Sequence, residues 1–240
     1  MKSKFAALLV ATSLGVHGMA VSAQATPVTA PTGLNPGDTY RLVFVTSTTR
    51  DAQSSDIADY NAFVTAAANT SPLLAALGST WTAIASTKTI ELLGSTVTVD
   101  ARDNTNTNPT LNTGVNIFNL AGQSVALDNA DLWDDTLLAP ILYDENGSAN
   151  ATTVWTGSQS DGTLRFLSYM GYPATNSGLS SSSAFFWTTN FQLPWTQSHS
   201  LYAISADLTM LAQPTPEPAT LSLFALGLAG LGLAKRKRHA

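Results

Sequence analysis

Two segments of the chain alternate strictly between neighbouring faces, and they bracket everything else that could form a core. From Thr39 to Val45, Tyr40, Leu42 and Phe44 fall on one face, and Arg41, Val43 and Val45 on the other. From Ser200 to Met210, Tyr202, Ile204, Ala206, Leu208 and Met210 share a face. A period of two marks a strand, because successive side chains point to opposite sides of the pleat. After the first segment the period changes. Ile57, Tyr60, Val64, Ala67 and Ala68 recur at three- and four-residue steps, with Ser54 or Ser55 available as N-cap and Asp56 and Asp59 in the first turn. This predicts a helix. Pro72–Gly78 predicts a second, short one, opened by proline and closed by glycine. Beyond Gly78 the pattern turns to short strand candidates at Thr80–Thr87, Ser95–Ala101, Val115–Leu120, Thr153–Ser158 and Ala184–Thr189. Asn-, Asp-, Gly- and Ser-rich connections separate them, and 102–114 and 175–183 read as polar loops. The order of strand, helices, strand-and-loop region and closing strand predicts one α+β domain over 39–212. A Pro-, Thr- and Gly-rich extended lead-in precedes it over 26–38.

Both ends of the chain stand outside that pattern. Residues 1–25 place Lys2 and Lys4 before an apolar stretch from Phe5 to Val16 and then Ala23-Gln24-Ala25. A basic start, an apolar middle and an A-x-A site are the three parts of a secretory signal peptide, with cleavage expected after Ala25. Residues 213–240 place Pro216-Glu217-Pro218 before an apolar segment, 219–234, and the cations Lys235, Arg236, Lys237 and Arg238. About 15 apolar residues rising ~1.5 Å each span roughly 22 Å, short of the ~30 Å hydrocarbon core, so a helix here is a marginal, transient membrane anchor. The cations hold its end on the cytoplasmic side and put Pro-Glu-Pro outside. Gly227, Gly230 and Gly232 are small enough for close contact with another helix.

Setting the ends aside changes the charge balance. Of the 11 Lys and Arg, only Arg41, Arg50, Lys88, Arg102 and Arg165 lie within 26–215, against 15 of the 16 acids, a net charge near −10 for lead-in and core together. Such a core repels phosphate backbones, which argues against nucleic acid as a partner. There is no cysteine, so an exported protein of this size must be held by its apolar core, and thiolate zinc sites and cysteine nucleophiles are excluded. His17 and His239 lie in the two ends, which leaves His199 alone in the core.

The C-terminal triad of Pro216-Glu217-Pro218, apolar segment and Lys235–Arg238 resembles the PEP-CTERM sorting signal of Gram-negative bacteria. The resemblance implies recognition and cleavage near Pro-Glu-Pro by an exosortase, an integral-membrane transpeptidase-like enzyme. The protein would then be handed from a transient stay in the inner membrane to the cell surface or the exopolysaccharide matrix. The segments 60–87, Asp100–Asn104, Leu132–Gly147, Val154–Thr163 and Leu201–Thr209 are similar to C-type-lectin-like, endostatin-related domains. That resemblance implies a helical first half, a loop-rich β half, and first and last strands paired antiparallel. Tyr40, Leu42 and Phe44, with Tyr202, Ile204, Ala206 and Leu208, would then cover the helix bearing Ile57, Tyr60 and Val64. Family disulfides and the Glu-Pro-Asn or Gln-Pro-Asp triplet that accompanies sugar binding are absent from the sequence.

Chemistry-bearing residues are sparse. His199 has no Gly-x-Ser-x-Gly elbow to serve, and no Walker loop or His-x-x-x-His occurs, so no catalytic residue and no cofactor are expected. Asp128, Asp131, Asp134, Asp135 and Asp144, beside Glu145 and Asn146, supply hard oxygen ligands of the type calcium takes. Their spacing fits no EF-hand, and they read first as acids on turns around a buried Leu132-Trp133. Trp155, Trp187 and Trp195, with Phe185, Phe186 and Phe191, read as core before they read as a sugar-stacking surface. The expectation is a non-catalytic, exported surface or matrix protein whose partners are an exosortase and exopolysaccharide or other glycans. A secreted glycan-active hydrolase with the same tail is the alternative, and two facing carboxylates in an open cleft would mark it.

Overall fold

The first alternating segment forms strand β1 (Thr39–Val45), and every residue of it after Thr39 is buried. A strand buried on both faces needs apolar matter on both sides of its sheet, and the rest of the molecule supplies it. The computed structural model describes residues 25–90 and 96–212. The signal-peptide expectation over 1–25, Ala25 excepted, and the sorting segment with its 219–234 helix lie outside the described residues.

After β1 comes α1 (Ile57–Thr70), with Tyr60, Val64, Ala67 and Ala68 buried. Asp56, not Ser54 or Ser55, is the N-cap; its side chain accepts from Ala58 N at 2.9 Å. Ser54 instead supports the cap, accepting from Asp56 N at 3.1 Å. A carboxylate at this position also meets the helix dipole, which a serine cannot. α2 (Pro72–Ala75) opens on its proline, and Gly78, at φ +60, ends the turn that comes after it. Then come β2 (Trp81–Ala83), the hairpin β3 (Thr87–Ile90) and β4 (Thr96–Val99), α3 (Ala101–Asn104), β5 (Ile117–Asn119), β6 (Ser124–Ala126) and α4 (Asn129–Leu132). The second half holds β7 (Thr153–Trp155), β8 (Ala174–Leu179), a 3₁₀ turn at Phe185–Trp187, β9 (Gln192–Pro194), β10 (Ser200–Ser205) and β11 (Leu208–Thr209).

The main sheet runs β6-β5-β1-β10-β7-β8-β9, with β11 on β1 and β2 on β10. The expected pairing of first and last strands is present: Val43, Phe44 and Val45 lie opposite Ile204, Ala203 and Tyr202, antiparallel. Thr39 and Tyr40 then pair with Thr209 and Leu208. The two registers differ by one residue, so Arg41 and Leu42 face the three residues Ser205–Asp207, a β-bulge.

That bulge corrects the expected faces. Tyr40, Leu42, Phe44, Tyr60 and Val64 do share one apolar cluster, with Ile57 packed against it. Tyr202 and Ile204 face the other way and join Val43, Val45, Ile117, Leu132 and Trp187 in a second cluster. The helix side of β10 is Leu201 and Ala203. Past the extra residue the alternation inverts, and Leu208 returns to the helix side beside Tyr40. Two further expectations change. Of the expected loop 175–183 only 180–183 is a turn; residues 175–179 belong to β8, where Thr175, Asn176 and Ser177 are fully or almost fully buried. Their polarity is absorbed by neighbouring segments, since Asn176 Nδ2 donates to Ser158 O at 2.7 Å and Thr188 O at 2.9 Å. Ala184–Thr189 is not a strand; its 3₁₀ turn buries Trp187 and leaves Phe185 and Phe186 outside.

Candidate functional site

The bulge does more than invert faces, because it brings the cation of β1 to a cleft. Arg41 is 4% exposed, and its Nε donates to Ser205 O at 2.6 Å. Asp207, on the extra residues of the bulge, stands 3.8 Å from the same Nε with its side chain 64% exposed. The cleft has a volume of about 400 Å³ and is lined by Arg41, Thr80, Thr82, Asn104, Asn106 and Asp207. Thr80 is held there because Ala206 N donates to its carbonyl at 2.9 Å. Thr82 is placed by the pairing of β2 with β10, opposite Ile204. Asn104 is committed to structure: its Nδ2 donates to Ala83 O at 2.7 Å and Asn61 Oδ1 at 3.0 Å. Asn106 holds φ +54, a left-handed conformation asparagine tolerates, and so carries its amide to the rim.

Burial pulls the Arg41 guanidinium down to about 10, and nearby Asp207 partly opposes the shift. The group stays protonated at neutral pH. Among the described residues neither of its Nη nitrogens has a protein acceptor. The side chain is buried up to a fork that opens on the cleft, and an anion or a polyol oxygen placed there would pair with its free donors. The sequence offered one signal for this site: a lone arginine inside an otherwise apolar strand.

The acids singled out from the sequence are dispersed into their own turns. Asp128 caps α4, accepting from Ala130 N at 2.8 Å and Asp131 N at 2.9 Å. Asp131 accepts from Leu127 N, and Asp134 from Thr136 N and Oγ1. Asp135 occupies a turn at φ +78. Asp144 accepts from Asn146 N and Ser148 N, both at 2.9 Å, and neighbouring Glu145, 2% exposed, takes the backbone N–H and hydroxyl of Ser47. Leu132 and Trp133 lie buried between these turns. Among the described residues no three His, Asp or Glu side chains form a group able to hold a metal ion.

His199 packs edge-on against Trp155, ring centres 4.7 Å apart, and burial lowers its pKa. Its Nε2 shares a hydrogen bond with Gln197, not with a serine or a carboxylate. Trp155 and Trp187 are fully buried and Trp195 packs against the helix-side core, in keeping with the core expectation. Phe185, Phe186 and Phe191 are exposed, which departs from it.

The chain leaves the domain beside its own lead-in. Gly37 N donates to Met210 O at 2.9 Å and Met210 N to Asp38 O at 2.8 Å, so lead-in and exit run together past the Thr39 end of β1. Leu211, 79% exposed, is among the last described residues. The tail beyond Ala212 carries the address of the protein. Residues 214–238 match the PEP-CTERM protein-sorting motif. The match takes in Pro216, Glu217, Pro218 and the cations Lys235–Arg238, and signals of this kind are processed by an exosortase, on proteins exported toward the cell surface. No curated protein matches the sequence, and no family match supports the lectin-like reading of the core. Among the described residues, no helix is long and apolar enough to cross a membrane.

Proposed function

We propose that the protein is an exported, non-catalytic component of the bacterial surface or exopolysaccharide matrix. It enters the export route through a signal peptide over residues 1–25. It pauses at the inner membrane on the apolar segment 219–234 and is released by exosortase cleavage near Pro216-Glu217-Pro218. The observation that carries the reading is the sorting motif at 214–238. The exit of the chain at a sheet end, beside its own lead-in, supports it, because the described domain ends there at its surface, with Leu211 79% exposed.

The core over 39–212 is read as a C-type-lectin-like module. The antiparallel pairing of β1 with β10 and β11, a helix-bearing first half and a loop-rich second half support that reading. A glycan-active hydrolase needs two facing carboxylates, and the cleft at Arg41 carries one, Asp207. This favours association with glycan over its hydrolysis. The decisive variant is Glu217→Ala, studied by fractionation of cells. The reading expects unprocessed precursor to accumulate in the membrane fraction, and wild-type release by the variant would overturn it.

A further inference from the structure

We propose that the cleft beside Arg41 binds the carboxylate of an acidic sugar, with the Arg41 guanidinium as its anchor. The inference rests on the glycan-associating reading of the core and names the class of glycan. Its starting point is a buried cation whose Nε is spent on Ser205 O while both Nη nitrogens lack a protein acceptor among the described residues. A planar fork with two parallel donors is matched by a carboxylate more closely than by any neutral oxygen.

The rest of the lining suits the hydroxyls of a sugar ring. Thr80 and Thr82 contribute hydroxyls that make no hydrogen bond among the described residues, and Asn106 contributes an exposed amide. The exposed Asp207 carboxylate can accept from ring hydroxyls, yet it is also the one group that competes with an incoming anion for Arg41. A volume of about 400 Å³ lies at the small end of the ~300–1,000 Å³ range of small-molecule sites. It admits a terminal or isolated sugar residue, not a length of chain. The strongly acidic core points the same way, since it repels a densely charged polyanion and tolerates a single carboxylate.

The test is a ligand-observed NMR titration of the full-length protein in detergent with methyl glucuronide, methyl glucoside and acetate. Methyl glucuronide is expected to bind at least tenfold more tightly than either control. Asp207→Asn removes the competing carboxylate from an exposed position and should tighten glucuronide binding at least threefold. Arg41→Lys keeps the charge but not the fork and should weaken it at least tenfold; circular dichroism checks that this variant folds, and Asp207→Asn carries the test if it does not. Equal binding of glucoside and glucuronide overturns the proposal. So does acetate binding as tightly as glucuronide, which would mark a site for any carboxylate, and so does an Asp207→Asn variant that binds no better than wild type. Tail cleavage is read separately, by intact mass, so loss of this proposal and loss of the sorting reading are told apart.

Discussion

Gly178, next to the last residue of β8, is a position where one methyl group should be felt in the second core. Its backbone is extended, so alanine meets no conformational obstacle there; the obstacle is space. A Cβ would stand 1.9 Å from the Trp187 carbonyl oxygen, 2.6 Å from its carbon and 3.1 Å from Thr188 Cα. An ordinary carbon–oxygen approach is about 3.3 Å, so the strand and the turn must part by more than ~1 Å. The turn is poorly placed to yield. Tyr202 Oη donates to Trp187 O at 3.1 Å, and Thr156 Oγ1 and Asn176 Nδ2 donate to Thr188 O at 2.6 and 2.9 Å. The Trp187 ring is fully buried between Trp133 and Tyr202. Overpacking of this kind costs ~1–3 kcal/mol, and a backbone-to-backbone clash belongs at the top of that range. For a domain of this size, about 3 kcal/mol lowers Tm by about 6–12 °C. Thermal unfolding monitored by circular dichroism measures it, with the near-ultraviolet band of the tryptophans changing as well. Gly33→Ala is the control: nothing lies within 4 Å of its Cβ, and its φ of +90 costs only left-handed strain, about 1–2 kcal/mol. A Gly178→Ala variant that melts within about 2 °C of wild type, or no lower than Gly33→Ala, would refute the packing argument.

Two other perturbations test the core. His199 has a folded pKa below its ordinary 6.5 because it is partly desolvated against Trp155. The unfolded chain therefore binds more protons in that window, so stability is full above pH 6.5 and falls as pH drops through that value toward the folded one. The urea midpoint should be lower at pH 5.5 than at pH 7.5, and His199→Gln should flatten the difference; an unchanged slope contradicts the assignment. For calcium the expectation is at most weak binding, because Asp128, Asp131, Asp134 and Asp144 are already engaged in their own turns. Tight, stoichiometric binding by calorimetry, lost in Asp134→Ala or Asp135→Ala, would show those turns to be a real site.

What could be read in the sequence depended on where each side chain spends its polarity. β1 and β10 were legible because their apolar periodicity survives in the sheet, and α1 because its buried face repeats at helical steps. The inversion of Tyr202 and Ile204 was not legible, since one extra residue at Ala206–Asp207 leaves no mark in an alternating string. β8 reads as a loop because Thr175, Asn176 and Ser177 are polar; they donate to the carbonyls of Tyr172, Thr188 and Phe191, and the last two lie 12 and 14 residues away from their donors. Phe185-Phe186-Trp187 has the composition of a strand, and only the tertiary context makes it a turn that buries one ring of three. The cleft was not read from the sequence; its one mark there is a single arginine in an apolar strand, and the bulge that brings it to the cleft leaves none. The sorting segment was legible because its motif is a linear string, and residues 214–238 match it.

The central claim is that this string is cut. Intact mass spectrometry of the protein recovered from the cell surface or matrix tests it directly. The predicted product begins near Thr26 and ends close to Pro218, without the apolar segment or its cations. Recovery of surface material that still carries Lys235, Arg236, Lys237 and Arg238 would contradict it.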